Sequence, residues 1–327
     1  MYLLDIKDKK ILNALETDAR QSNTQIGKKT GLSKEVVKYR IDHMVQQGVI
    51  VRFYTLTNYF KLGILKFKLY LRLTNANKEK IEEIASYFTR HKKTEWVVTT
   101  TGRWDMIVGF LVHNVNEFDD EVQHVLNHFS NYIQEKAVTT TLYLAHQTRE
   151  FLTARNEIGK VIYHTSKDAQ ETIDSIDEDI LRILTNNARM PVTAIALKLK
   201  LTARIVQYRI KELEKRNIIL GYKVHLDPKA VGRLFCKAIL YLAATTKSKL
   251  DLFIGYASSL PGAVWPQRLM GNWDFELDLE LETYDLFQET ISSIKEKFPD
   301  IIKSHEFCIV SKEFKLDFYP NAYQGLE

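Results

Sequence analysis

Apolar residues change period several times along this chain, and each change predicts an element. Ile11, Leu12 and Leu15 form one stripe at helical spacing, and Thr24-Gln25-Ile26-Gly27 opens a second short helix. After the turn at Thr30-Gly31-Leu32, Ser33 suits the N-cap of a third helix, with Val37, Ile41 and Met44 inward and an end near Gly48. Residues 49–53 then alternate as a strand where a wing would lie, so the first sixty residues predict three helices and a hairpin. Beyond them the pattern gives a strand over 66–73, a helix over 78–90, strands over 96–101 and 104–112, a helix over 117–129 and a strand over 137–144. That order, βαββαβ, is the ferredoxin-like plan.

The whole pattern occurs twice. A shift of 169 residues sets Ile11-Leu12 on Ile180-Leu181, Ala19-Arg20 on Ala188-Arg189, Tyr39-Arg40-Ile41 on Tyr208-Arg209-Ile210, Trp96 on Trp265, and Gly102-x-Trp104-Asp105 on Gly271-x-Trp273-Asp274. In the second copy Thr202 is the cap, Val206, Ile210 and Leu213 face inward, and residues 218–222 form the following strand. The predicted fold class is α+β, two copies of a winged helix-turn-helix each followed by a ferredoxin-like domain. The expected boundaries are 1–60 and 61–149, a linker over 150–173, then 174–230 and 231–327. The linker is polar and suits a partial helix, and its reach decides whether the copies pair within or between chains.

Charge follows the same division. The net charge of +5 is small, yet residues 1–60 carry 10 Lys and Arg against 6 Asp and Glu, and residues 174–230 carry 11 against 7. Residues 231–327 reverse the balance, 10 against 14. Two basic segments alternating with neutral or acidic ones suggest nucleic-acid-binding units joined to something else. A third helix of this kind lies in the major groove with its early residues at base edges. Ser33, Lys34, Glu35, Lys38 and Arg40 stand outward in copy one, and Thr202, Arg204, Gln207 and Arg209 in copy two. Arg and Lys donate to guanine, Gln reads adenine, and Ser or Thr at a helix start holds phosphate. An ordinary solvated helix face would look similar, and Arg40 and Arg209 suit the fold's own carboxylates equally well. The two readers differ, since Lys34, Glu35 and Lys38 stand opposite Ala203, Arg204 and Gln207.

The segments GLSKEVVKYRIDHMVQQGVI and LTARIVQYRIKELEKRNIILGYKVHLDPKAVG resemble the DNA-binding half of the Lrp/AsnC (leucine-responsive, feast/famine) transcription regulators. The GRWD and GNWD strands resemble the same family's sensing and assembly domain, so the resemblance covers nearly all of the chain except the linker. It implies a sequence-specific regulator that binds double-stranded DNA, forms homo-oligomers and responds to a small effector such as an amino acid. Ordinary members carry one copy, so a dimer of this tandem chain would stand in for a tetramer. By the same resemblance the effector site would lie near Thr101, Gly102 and Asp105, and near Met270, Gly271 and Asp274, where an Asp holds an amino group or caps the turn.

Strand alternation predicts how the copies meet. Phe67, Leu69, Leu71, Met106, Val108 and Phe110 in copy one, and Ala238, Leu240, Phe275, Leu277 and Leu279 in copy two, face the helices. The opposite faces then show Lys66, Lys68, Tyr70 and Arg72 in copy one, and Phe235, Ile239, Tyr241, Asp274, Glu276, Asp278, Glu280 and Glu282 in copy two. Packing these unlike faces together would favour one copy against the other over like pairing; a solvated acidic face is the alternative.

Other chemistry is thinly supported. The sequence holds no Gly-rich phosphate loop, HExxH, GxSxG or paired CxxC, which argues against catalysis and a cofactor. His124 and His128 lie four apart on one predicted helix, a spacing more often met on a wet surface than at a metal, and no metal is expected. Siroheme decarboxylases resemble the same family, sometimes as fused pairs, but their Tyr-x-Arg and Tyr-Asn pattern is not found where GRWD and GNWD stand. A further alternative is an assembly module with a degenerate DNA-binding unit. Two cysteines, Cys236 and Cys308, and no run of ~18 uncharged apolar residues predict a cytoplasmic chain without a membrane partner.

Overall fold

The computed structural model describes residues 2–152 and 161–319. In copy one the elements are α1 (Ile6–Thr17), α2 (Asn23–Thr30), α3 (Lys34–Gln46), β1 (Ile50–Thr57), β2 (Leu65–Leu73), α4 (Lys78–Arg90), β3 (Thr94–Gly102), β4 (Met106–Val112), α5 (Val115–Phe129) and β5 (Ile133–His146). A short strand β6 (Ile162–Thr165) precedes copy two, which comprises α6 (Ser175–Asn186), α7 (Val192–Leu199), α8 (Ala203–Lys215), β7 (Ile219–Leu226), β8 (Leu234–Leu242), α9 (Lys247–Ser258), β9 (Ala263–Gly271), β10 (Phe275–Leu281), α10 (Tyr284–Lys297) and β11 (Ile302–Leu316). Side-chain caps start the helices as read from sequence. Ser33 accepts from the Val36 amide and Thr202 from the Ile205 amide, each filling one orphan donor of the first turn.

The two βαββαβ units share one barrel. The strands run β2-β4-β3-β11-β8-β10-β9-β5-β6, and β5 also pairs with β2, so all but β6 close on themselves. Each unit keeps its own four-strand order, and the seams are β3 with β11 and β5 with β9. The helix-facing residues fall as the alternation predicts: Phe67, Leu69, Leu71, Met106, Val108 and Phe110 bury under α4 and α5, and Ala238, Leu240, Phe275, Leu277 and Leu279 under α9 and α10. The other faces turn inward around Tyr70, Trp96, Trp104, Ile239, Trp273 and Cys308.

Two expectations are corrected. Among the described residues no hairpin forms inside either helix-turn-helix unit; β1 pairs antiparallel with β7, from Ile50 opposite Leu226 to Thr57 opposite Ile219. Each strand lacks a second strand in its own copy, and its unmet backbone groups are satisfied by its counterpart. The linker is not helical where described after residue 160: β6 adds to the edge of β5, with Tyr143 opposite Thr165 and His146 opposite Ile162. Residues 153–160 of that linker lie outside the described residues, and so do residues 320–327 of the last expected domain.

Candidate nucleic-acid interface

The two helix-turn-helix units are built as mirror-role partners. Arg20 donates to the carbonyls of Ala188 and Met190 at 2.5 and 3.1 Å, while Arg189 donates to the Ala19 carbonyl and the Asn23 side chain, both at 2.7 Å. The backbones cross likewise, Ala19 N–H to the Tyr222 carbonyl and Ala188 N–H to the Phe53 carbonyl. These reciprocal contacts, with the β1–β7 pair, fix α3 and α8 relative to each other. The repeat's register landmarks, Ala19-Arg20 and Ala188-Arg189, are the locking residues.

Val37, Ile41 and Met44 of α3 and Val206, Ile210 and Leu213 of α8 bury, which turns the alternate faces outward. Lys34 and Lys38 are exposed; Lys34 lies 3.7 Å from Glu35, and Lys38 holds Asp42 at 2.5 Å. Such exposed pairs are weak and yield readily to a phosphate. Arg204 and Gln207 are also exposed. Arg40 and Arg209 are engaged by carboxylates of their own unit. Arg40 bonds Asp5 and Asp8 at 2.8 Å each, and Arg209 bonds Asp174 at 2.7 Å and Asp177 at 3.3 Å. Each ties α3 or α8 to the first helix of its unit. Sequence reasoning missed Tyr39 and Tyr208, 70% and 61% exposed at equivalent positions, with Val36 and Ile205 half-bare beside them. The helical wheel that sends 37, 41 and 44 inward leaves 36 and 39 outside, and the repeat doubles that signal.

At the turns expected to hold an effector, both aspartates accept from backbone amides. The Asp105 carboxylate accepts from the Leu73 amide at 2.7 Å, and Asp274 from the Leu242 amide at 2.8 Å. Gly102 and Gly271 have φ of 130° and 143°, and a Cβ there would lie 2.5 Å from the Phe307 carbonyl oxygen and 2.3 Å from that of Val138. These glycines end strands at the two seams, where the other copy's backbone comes close, and so are not turn glycines. Thr101 bonds Ser311 across one seam at 2.9 Å, and Met270 is exposed.

Inside the barrel the basic and acidic strands meet. Lys68 Nζ lies 2.6 Å from both Gln267 Oε1 and Glu276 Oε2, and Lys237, the repeat equivalent of Lys68, lies 2.7 Å from Glu276 and 2.6 Å from Asp278. Glu276 also accepts from Trp273 Nε1 at 2.8 Å and from the Tyr70 hydroxyl. Burial alone would raise its carboxyl pKa, yet the Lys237 and Lys68 ammonium groups hold it well below the ordinary range. Burial lowers Lys68 to about 8 despite Glu276, with Lys237 adding repulsion. Three expected members sit differently. Lys66 pairs with Glu95 of its own copy at 2.8 Å, Glu280 is held bidentately by Arg149 at 2.8 Å, and Arg72 is exposed at its strand end. Arg149 also bonds Glu16 on α1, joining the first helix-turn-helix unit to the barrel. Lys237 was not among the expected members, although alternation sets it on the same face as Phe235 and Ile239. His128 Nδ1 bonds the His124 carbonyl at 2.8 Å on α5, and no metal-holding cluster occurs among the described residues. Among those residues no helix is long and apolar enough to cross a membrane.

Comparison with known proteins agrees with this geometry. Residues 4–51 match the winged helix-turn-helix DNA-binding family, and residues 173–214 the AsnC-type helix-turn-helix domain. The HTH-type transcriptional regulator LrpA of Pyrococcus horikoshii is 45% identical over 60 residues, which span 18% of this chain and 43% of that regulator. The HTH-type transcriptional regulator FL11 of Pyrococcus furiosus is 32% identical over 120 residues, 36% of this chain and 77% of that regulator. Among solved structures the siroheme decarboxylase NirDL, in co-complex with an iron-uroporphyrin III analogue, superposes with a TM-score of 0.63 at 10% identity, covering 95% of this chain and 93% of that one. At that identity the likeness is one of fold.

Proposed function

The chain belongs to the Lrp/AsnC family of DNA-binding transcription regulators, and from that premise we propose that its two reading helices recognise two unlike half-sites of one operator. The observation that carries this is the locked pair α3 and α8, capped alike, crossed through Arg20 and Arg189, yet outwardly different at Lys34, Glu35 and Lys38 against Ala203, Arg204 and Gln207. One chain then supplies what a dimer of single-copy members would. Ser33 and Thr202, as caps, orient the first-turn amides toward phosphate, and the exposed Lys, Arg and Gln side chains reach base edges. Arg40 and Arg209 are positioning residues in this reading.

Unlike inner faces make pairing within the chain preferred over pairing of like copies, because a second acidic strand opposite Glu276 and Asp278 would bury carboxylates against carboxylates. We further propose a cytoplasmic homo-oligomer of such chains, answering to a small effector and carrying out no catalysis. The test is binding to labelled genomic duplexes, including the region upstream of its own gene, as salt rises. Tight binding to particular fragments, weakening steeply with salt, supports the regulator; weak binding indifferent to fragment overturns it. The fold shared with NirDL carries the rival reading, an enzyme acting on an iron tetrapyrrole. A saturable shift of the Soret band on adding an iron uroporphyrin to the full chain would favour that rival.

A further inference from the structure

The repeat makes one asymmetry visible. In copy one, β6 lies along Tyr143 to His146 of β5, and its Ile162 buries against Leu220 and Gly221 at the barrel mouth. The repeat equivalents are Lys312 to Lys315 of β11, and Val51 with Arg52 on β1. There β3 pairs with one side of β11, and among the described residues no strand takes the other. A cavity of about 270 Å³ opens at that place, bounded by Val51, His225, Phe235, Trp265, Ser311 and Lys312 among others. Its size equals roughly nine waters at ~30 Å³ each.

We propose that this cavity is a binding site for a small hydroxyaryl carboxylate. His225 is over nine-tenths buried, and its Nε2 lies 3.1 Å from Glu313 Oε1. Its Nδ1, the ring's other polar atom, has no hydrogen-bond partner among the described residues. A ligand hydroxyl, which both donates and accepts, suits that nitrogen. Phe235 and Trp265, packed on each other with ring centroids 5.5 Å apart, supply an aromatic surface for a flat ring. At the mouth Lys229 and Lys312 are exposed; among the described residues the Lys229 ammonium meets the Ser311 carbonyl, the carboxylate beside Lys312 is the solvent-screened Glu82 at 4.0 Å, and Asp227 accepts from the Lys229 amide, so the outer end of the ligand is anionic. Glu280 contributes no free charge, being clasped by Arg149. The repeat equivalents of these groups are unsuited, with Leu56 for His225, Phe60 for Lys229 and Tyr143 for Lys312.

The residues Asp227 to Lys229 join β7 to β8, so a ligand here braces the second reading unit against the barrel. That consequence rests on the regulator reading; the binding does not. Calorimetric titration of the full chain without DNA tests it, using 4-hydroxyphenylacetate, phenylacetate and tyramine. The site takes 4-hydroxyphenylacetate saturably at one per chain and phenylacetate several-fold more weakly, and it refuses tyramine. Lys229→Glu/Lys312→Glu weakens binding roughly tenfold or more with an unchanged melting temperature. No saturable heat with 4-hydroxyphenylacetate, equal binding of tyramine, or an affinity indifferent to the double reversal overturns the proposal. Because DNA is absent, either outcome leaves the operator experiment to stand or fall separately.

Discussion

Glu276 shows what a single buried charge does in this molecule. It accepts from Lys68, Lys237, Tyr70 and Trp273, so two lysines from equivalent strands share a carboxylate whose own repeat partner is Ile107. Removing one member of such a group strands the others in a low dielectric, and Glu276→Gln is expected to cost about 3–5 kcal/mol in denaturant unfolding. Arg72→Ala, at an exposed strand end, should stay within about 0.5 kcal/mol. A second buried cluster sets the acid response. Trp265 Nε1–H donates to His146 Nδ1 at 3.1 Å, and the His146 and His164 rings lie 5.5 Å apart. Burial holds both imidazoles far below the ordinary range, His164 to about 3 with Lys66 adding repulsion. Unfolded, both return to roughly 6.5, so below that pH the unfolded chain binds protons that the folded chain refuses. Stability falls as pH drops from about 6.5 towards 3, by up to ~1.4 kcal/mol per unit per histidine. The depressed Glu276 carboxyl adds its loss only below roughly 4.3, its unfolded value. Urea midpoints between about pH 7 and 5 should therefore slope, and His146→Phe/His164→Phe should flatten the slope; an unaltered slope contradicts the assignment. At the reading face, Tyr39→Ala and Tyr208→Ala should each weaken specific DNA binding roughly tenfold while leaving the melting temperature unchanged.

At the scale of elements, local chemistry predicted well and long-range pairing did not. The α3 and α8 starts were legible because Ser33 and Thr202 carry their reason locally, in a side chain that fills a first-turn amide. The helix over residues 78–90 agrees with its sequence range because Asn77 caps it and its apolar stripe is clear. The β1–β7 exchange was illegible for a physical reason: the residues around Ile50 read as a strand, and a strand pattern names no partner. The seam glycines were legible as glycines but misplaced, since only the approach of another strand reveals why a side chain is excluded. Gly271→Ala would place a Cβ 2.3 Å from the Val138 carbonyl oxygen at a φ of 143°. It should lower the melting temperature clearly and speed amide exchange along β5 and β9, whereas Gly255→Ala, with open space around it, should do neither.

For the whole molecule, two copies of one unit have diverged so that one chain closes on itself. The charge asymmetry of the inner faces was legible from alternation alone, and the meeting of Lys68 with Glu276 lies within that pattern. The linker's part was not, because β6 finds its place only once β5 has extended past β2. If unlike faces set the pairing, residues 1–152 and 161–327 produced together with different tags should copurify as a mixed pair, and Lys68→Glu should reduce its yield; like pairs in equal amount would contradict it. The central claim, two unlike readers fixed in one frame, is tested most directly by selecting bound duplexes from a random pool with the wild type, Lys34→Ala/Lys38→Ala and Arg204→Ala/Gln207→Ala. The account predicts an operator of two dissimilar half-sites about one helical turn or a multiple apart, with each variant relaxing a different half. A palindrome, or the same half relaxed by both variants, would contradict it.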